Sequence, residues 1–220
     1  MNPLGMMKPL GILGGTFDPV HHGHLRLAIE ITEAVDMDAV RLVPLYLPPH
    51  REPPAAPAAL RLCMLNTAVA GTPNLTVDDR ELRRARVSYT VETLAELRRE
   101  CPGRPLCLIL GMDAFSGLEG WHRWREIIGL AHLAVARRPG SVLPPFGPIH
   151  DVLDRHGVTD PSGLHRREAG CLLIRDVPAL DISASAIRAR IAAGRSPRHL
   201  LPDAVLDLIE RNSLYRETAK

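Results

Sequence analysis

Apolar positions fall into two rhythms along the chain. Short unbroken runs at Leu10–Leu13, Ala39–Leu45, Leu75–Val77, Leu106–Leu110, His132–Arg137 and Cys171–Arg175 are too brief for helices and read as strands, most of them buried on both faces. Between them apolar residues recur at helical spacing. From His24 onward Leu25, Ala28, Ile29 and Thr32 share a face, widened by Leu27, Ile31 and Ala34. Further helices are predicted over Ala58–Ala70, Thr90–Glu100, Ala184–Ala193 (stopped by Gly194) and Asp203–Arg211.

Strand, loop, helix and strand in succession from residue 10 to 45 make a βαβ unit, which implies a parallel sheet. The fold class is therefore α/β: a Rossmann-like open, mostly parallel sheet with helices on both faces. Two stretches stand outside this rhythm. Tyr46–Pro57 holds five prolines and reads as a loop that cannot enter a sheet interior. Between Ser141 and Arg167 the pattern dissolves into Pro, Gly, His and charge, and reads as a variable surface excursion.

At 220 residues and 45% hydrophobic content, residues 1–220 suit one domain, closed by a helical end at about 181–215. The net charge of +2 is too small for a nucleic-acid surface, so phosphate binding must come from a few placed residues. Cys63, Cys101, Cys107 and Cys171 form no CxxC pair and read as reduced, buried thiols of a cytoplasmic protein. Lys8 and Pro9 interrupt the apolar start, and no later run has the length of a membrane span. The pattern leaves the oligomeric state open, a homo-oligomer included.

The chemistry concentrates in Gly14-Gly15-Thr16-Phe17-Asp18-Pro19-Val20-His21-His22-Gly23-His24-Leu25. Two glycines ending a strand let backbone approach a bulky anion. The next helix starts near His22, with its free N–H groups and dipole aimed at the same loop. His21 and His24, three apart, can both face that anion, with Gly23 leaving room. Two histidines at this spacing also suit a metal, but no carboxylate or cysteine stands beside them at ligand spacing. A second helix start, Ile182-Ser183-Ala184-Ser185-Ala186-Ile187-Arg188, offers hydroxyls and a guanidinium fork one turn in; its plainer reading is a capped helix with a solvated arginine.

The first segment resembles the GGTFDPxHxGHL loop of bacterial nicotinate mononucleotide adenylyltransferases, within the HxGH nucleotidyltransferase superfamily. The second is similar to that family's ISSTxIR motif, with Ala184 and Ser185 where the family has Ser and Thr. By resemblance, His21, His24 and Arg188 are catalytic, and Gly14, Gly15, Thr16, Phe17, Gly23, Gly111, Asp113, Ser183 and Ser185 bind ATP. Asp113 follows a strand's carboxyl end, where a carboxylate suits ribose hydroxyls or caps the next helix. Pro48-Pro49-His50-Arg51 resembles the family's PPHR loop, whose basic residue meets the mononucleotide phosphate. Ser88-Tyr89-Thr90-Val91-Glu92-Thr93-Leu94 resembles its SYTxxTL segment, where helix-start amides can hold a carboxylate, although Thr90 could serve only as a cap. Trp121-His122 places a tryptophan where the family stacks a pyridine ring, with Trp124 left to the core. Arg137-Arg138-Pro139-Gly140 also matches. The implied mononucleotide-binding set is Asp18, Arg51, Tyr89, Thr90, Trp121, His122 and Arg137. The tail to Leu214-Tyr215 reads as packing.

The resemblance implies ATP and nicotinate mononucleotide as substrates, and Mg²⁺ carried mainly by the ATP phosphates with no metal site of the protein's own. Two rivals stay open: transfer to a different phosphorylated acceptor, and a nucleotide sensor without turnover.

Overall fold

The computed structural model describes residues 7–49, 52–140, 146–178 and 180–216. Its strands are β1 (Leu10–Gly15), β2 (Ala39–Pro44), β3 (Leu75–Val77), β4 (Leu106–Gly111), β5 (His132–Arg137), β6 (Gly157–Val158) and β7 (Leu172–Asp176). They form one sheet in the order β3-β2-β1-β4-β5-β7-β6, and all neighbours run parallel.

The continuous apolar runs have a physical cause, because each central strand feeds two cores. In β4, Leu106, Leu108 and Leu110 enter one cluster while Cys107 and Ile109 enter the other; in β5, Leu133 and Val135 alternate with Ala134 and Ala136. The first core is roofed by α1 (His22–Val35), α2 (Ala58–Val69), α8 (Ser162–His165), α9 (Ala184–Ala192) and α10 (Asp203–Arg211). The second is roofed by α4 (Thr90–Glu100), α5 (Met112–Ser116), α6 (Trp124–Leu130) and α7 (Pro148–His156). A short α3 (Arg80–Arg84) lies beyond β3.

The chain after 141 departs from the predicted excursion. Its described part carries α7, β6 and α8, and β6 pairs with β7 as the sheet's edge. A two-residue strand has no period to read, and in α7 Ile149 alone is fully buried beside five His or charged positions. The cysteine expectation holds in part. All four thiols are free and Cys107 and Cys171 are buried, but Cys63 is exposed and Cys101 half-buried.

The order of strands reverses between β1 and β4, since β2 lies outside β1 and β5 outside β4. Connections leave the two strands in opposite directions there, and the carboxyl ends of strands at such a reversal point are where open α/β sheets bind ligands.

Candidate active site

Both strands end in glycine at this reversal point. A Cβ built on Gly14 or on Gly111 would meet nothing within 4 Å, so each glycine borders open space. At Gly15 a Cβ would stand 3.1 Å from the Phe17 ring, which is itself buried and held at φ 49°. That φ is unusual for a side-chain-bearing residue and turns the chain sharply from β1 toward α1.

His21 immediately precedes α1 and is 4% exposed. Its ring stacks on that of His24, with centroids 3.7 Å apart, and Phe17 meets His24 edge-on at 4.9 Å. Gly23 gives the His21 ring its room, because a Cβ there would lie 3.0 Å from that ring, closer than side chains usually pack. His24 Nδ1 accepts from the His21 backbone N–H at 3.3 Å, whereas His21 Nδ1 is buried with no hydrogen-bond partner among the described residues. Burial pushes His21 down to about 4, helped by the Arg138 and His22 charges. Burial likewise holds His24 well below the ordinary histidine range, helped by His21 and Arg138. The pair is neutral near neutral pH.

The first-turn amides differ from expectation. The His22 N–H donates to the Leu200 carbonyl at 3.0 Å and that of His24 to the His21 carbonyl at 2.9 Å. The imidazoles, more than free helix-end amides, are what this turn presents.

The start of α9 lies alongside. Arg188 Nη1 donates to the Asp18 carbonyl at 2.7 Å, and the Ile182 carbonyl is 3.4 Å from a Cβ built on Gly23. Ser183 caps α9 by accepting from the Ala186 N–H, and its Oγ is 3.2 Å from that of Ser185. Asp113 sits exposed in the first turn of α5, directly after Gly111. It does not cap that helix, which starts with no side-chain cap.

The fold also unites Tyr89 and His122, whose rings are 4.4 Å apart. Tyr89 is the residue before α4 and Thr90 its first, so Thr90 is not the cap. Some of the amides expected here are spent: Ser88 N–H on the Leu47 carbonyl and Trp121 N–H on that of Leu118. Both tryptophans are half-buried against the second core, with Arg125 4.6 Å above the Trp124 ring.

A family model described as cytidylyltransferase-like matches residues 12–190. Curated relatives match almost end to end. A protein of Marinobacter nauticus described as a "probable nicotinate-nucleotide adenylyltransferase" is 50% identical, covering 93% of this chain and 95% of its own. One from Halorhodospira halophila with the same description is 48% identical, covering 95% and 96%. The chain belongs to the nicotinate-nucleotide adenylyltransferase family. Among solved structures, the Plasmodium falciparum nicotinic acid mononucleotide adenylyltransferase complexed with NaAD superposes with a TM-score of 0.73 at 14% identity, over 94% of this chain and 97% of that one. At that identity it speaks for the Rossmann-like fold alone.

Two of the expected mononucleotide-binding residues are engaged within the protein. Asp18 is 3% exposed, and its carboxylate is consumed inside the protein by the Ala55 and Ala56 amides and the Tyr215 hydroxyl. It ties the glycine loop to the proline loop and the chain's far end. Arg137 is engaged by Asp176 through two hydrogen bonds, at 2.6 and 2.8 Å. Its neighbour Arg138 makes no ion pair among the described residues, and its charge reaches both histidines. Arg51 lies outside the described residues.

Sequence reading passed over Arg61. It is 1% exposed and donates to the carbonyls of Thr16 and Leu45 at 2.8 Å and of Tyr46 and Ala56 at 3.3 Å. One guanidinium thus joins the glycine loop to both stems of the proline loop. An arginine within an apolar helix stretch gave no signal of this.

Proposed function

We propose that the protein transfers the adenylyl group of ATP to the phosphate of nicotinate mononucleotide, giving deamido-NAD and pyrophosphate in the route to NAD. The convergence of the histidine pair, Arg188 and two glycine strand ends at the sheet's reversal point carries this reading. The curated relatives' description and the family model support it.

The acceptor is already an anionic phosphate, so no base is needed to make the nucleophile. Its oxygen attacks the α-phosphorus of ATP in line, and the bond to the bridging oxygen of pyrophosphate breaks. Catalysis consists of holding two polyanions in line and neutralising charge on the leaving group. In this reading His21, His24 and Arg188 face the triphosphate, with Arg138 replacing Arg137 as an added cation. Asp113 and the open space over Gly111 take the ATP ribose. Tyr89, Thr90, His122 and Trp121 receive the pyridine ring and its carboxylate, and Arg51 the acceptor phosphate. Mg²⁺ is the ion we assign, supplying charge neutralisation on the phosphates. In this proposal the ATP phosphates are its main ligand. No helix among them is long and apolar enough to cross a membrane; the cytoplasmic setting is part of this proposal.

The test is pyrophosphate release from ATP with a panel of phosphorylated acceptors. Nicotinate mononucleotide is expected to be the best, at least about tenfold over its amide in kcat/KM, because a carboxamide leaves one acceptor-facing donor unpaired. His24→Ala should lose on the order of 100-fold in kcat with far less effect on ATP binding. A different preferred acceptor would redirect the assignment within the superfamily, and binding without release would favour a sensor.

A further inference from the structure

Asp18 touches the machinery of both substrates. Its carboxylate holds the Ala55 and Ala56 amides at 2.7 and 3.1 Å, at the stem where the proline loop returns toward α2. Its carbonyl holds Arg188 at 2.7 Å. The remaining hydrogen bond to the carboxylate comes from the far end of the chain, where the Tyr215 hydroxyl donates to Oδ1 at 2.7 Å. We propose that Tyr215 is a positioning residue: by fixing Asp18, its hydroxyl locks the acceptor-loop stem to the Arg188 guanidinium, so that acceptor and ATP binding reinforce each other. The inference rests on the adenylyl-transfer reading above.

A carboxylate this deeply buried must collect donors, because each missing one carries a desolvation cost. Three hydrogen bonds reach Asp18, and Arg61 adds a nearby positive charge. Without the hydroxyl, Oδ1 would keep only the longer bond from Ala56. The carboxylate would then hold the loop stem less firmly against the Asp18 backbone, whose carbonyl carries Arg188.

Tyr215 is presented rigidly. The turn after α10 is closed by Ser213 N–H to the Glu210 carbonyl and Leu214 N–H to that of Ile209, both near 3.0 Å, and Tyr215 has φ 62°. α10 packs against α2, which carries Arg61. The contacts therefore close a ring: α10, Tyr215, Asp18, the loop stem, α2 and back to α10. Burial pushes the phenol far above the ordinary tyrosine range, so it remains a donor at any working pH. This ring is a coupling element, not a pH switch.

Coupling between sites is reciprocal and measurable. In the full-length wild type, nicotinate mononucleotide should tighten binding of a non-hydrolysable ATP analogue by about fivefold or more. In Tyr215→Phe that enhancement should fall below about twofold, while the lost buried donor also lowers the melting temperature by a few degrees, so the enhancement is the deciding readout. A purely structural role would lower the melting temperature and leave the enhancement intact. Absence of enhancement in the wild type, or its persistence in Tyr215→Phe, overturns the proposal. Should the variant fold poorly, wild-type hydrogen exchange decides. The ATP analogue alone should slow exchange at Ala55 and Ala56, and unchanged rates there overturn the coupling. Failure of the wild type to release pyrophosphate from these substrates would instead sink the proposed function, while the exchange measurement still judges the ring.

Discussion

His21 and His24 stack across the first turn of α1, with ring planes 26° from parallel. Two imidazolium ions at that separation repel, and the free protein keeps both rings neutral. A triphosphate reverses the balance, because its charge favours the protonated form. ATP binding near neutral pH should therefore take up protons. Calorimetry in two buffers of different ionisation heat measures this, and identical heats would remove the histidines from phosphate contact.

The same depression has a sign for stability. His21 stays neutral in the folded protein until about 4, whereas in the unfolded chain it protonates below 6.5. Between those values the unfolded state binds more protons, so stability falls as pH falls through that window and levels off beneath it. His21→Gln should melt with a shallower pH dependence there. A slope equal to that of the wild type would mean the ring is not buried neutral.

Arg137 and Arg138 are adjacent but differ in company. Arg138→Ala should raise KM for ATP or lower kcat by about tenfold or more, as loss of a charge-assisted phosphate contact does. Arg137→Ala, which breaks only an exposed pair with Asp176, should change either by less than about twofold. Steady-state kinetics on both variants settles the order, and the reverse ranking would restore Arg137.

Arg61→Met removes the donors from four carbonyls and should cost on the order of 3 kcal/mol. Urea unfolding at unchanged m reads this directly. Arg61→Lys should recover only part of it, since an ammonium cannot span the fork. A midpoint unchanged in Arg61→Met would show that water serves those carbonyls as well.

Much of this was legible in the sequence. Strands fed by two cores announce themselves as unbroken apolar runs, and Leu106–Leu110 and His132–Arg137 were readable for that reason. The glycine loop was readable because Gly14, Gly23, His21 and His24 each have a local steric or chemical reason to be where they are. What escaped depends on tertiary partners. β6 exists only because β7 offers it an edge. The choice between Arg137 and Arg138 turns on Asp176, 39 residues further on. Asp18 looked like a ligand contact because nothing nearby in sequence reveals that Ala55, Ala56 and Tyr215 converge on its carboxylate.

The hydrogen bond between Asp18 and Tyr215 spans 197 positions. A polypeptide cut or stalled before residue 215 can already bury most of both cores, yet its first loop still lacks one of its fastenings. Such a fragment would resemble the finished protein by shape while its glycine loop stayed loose. Two separately made pieces, divided in the loop ahead of α9, would regain a complete loop only on reassembly. For the same reason an affinity tag should not be placed directly after Tyr215.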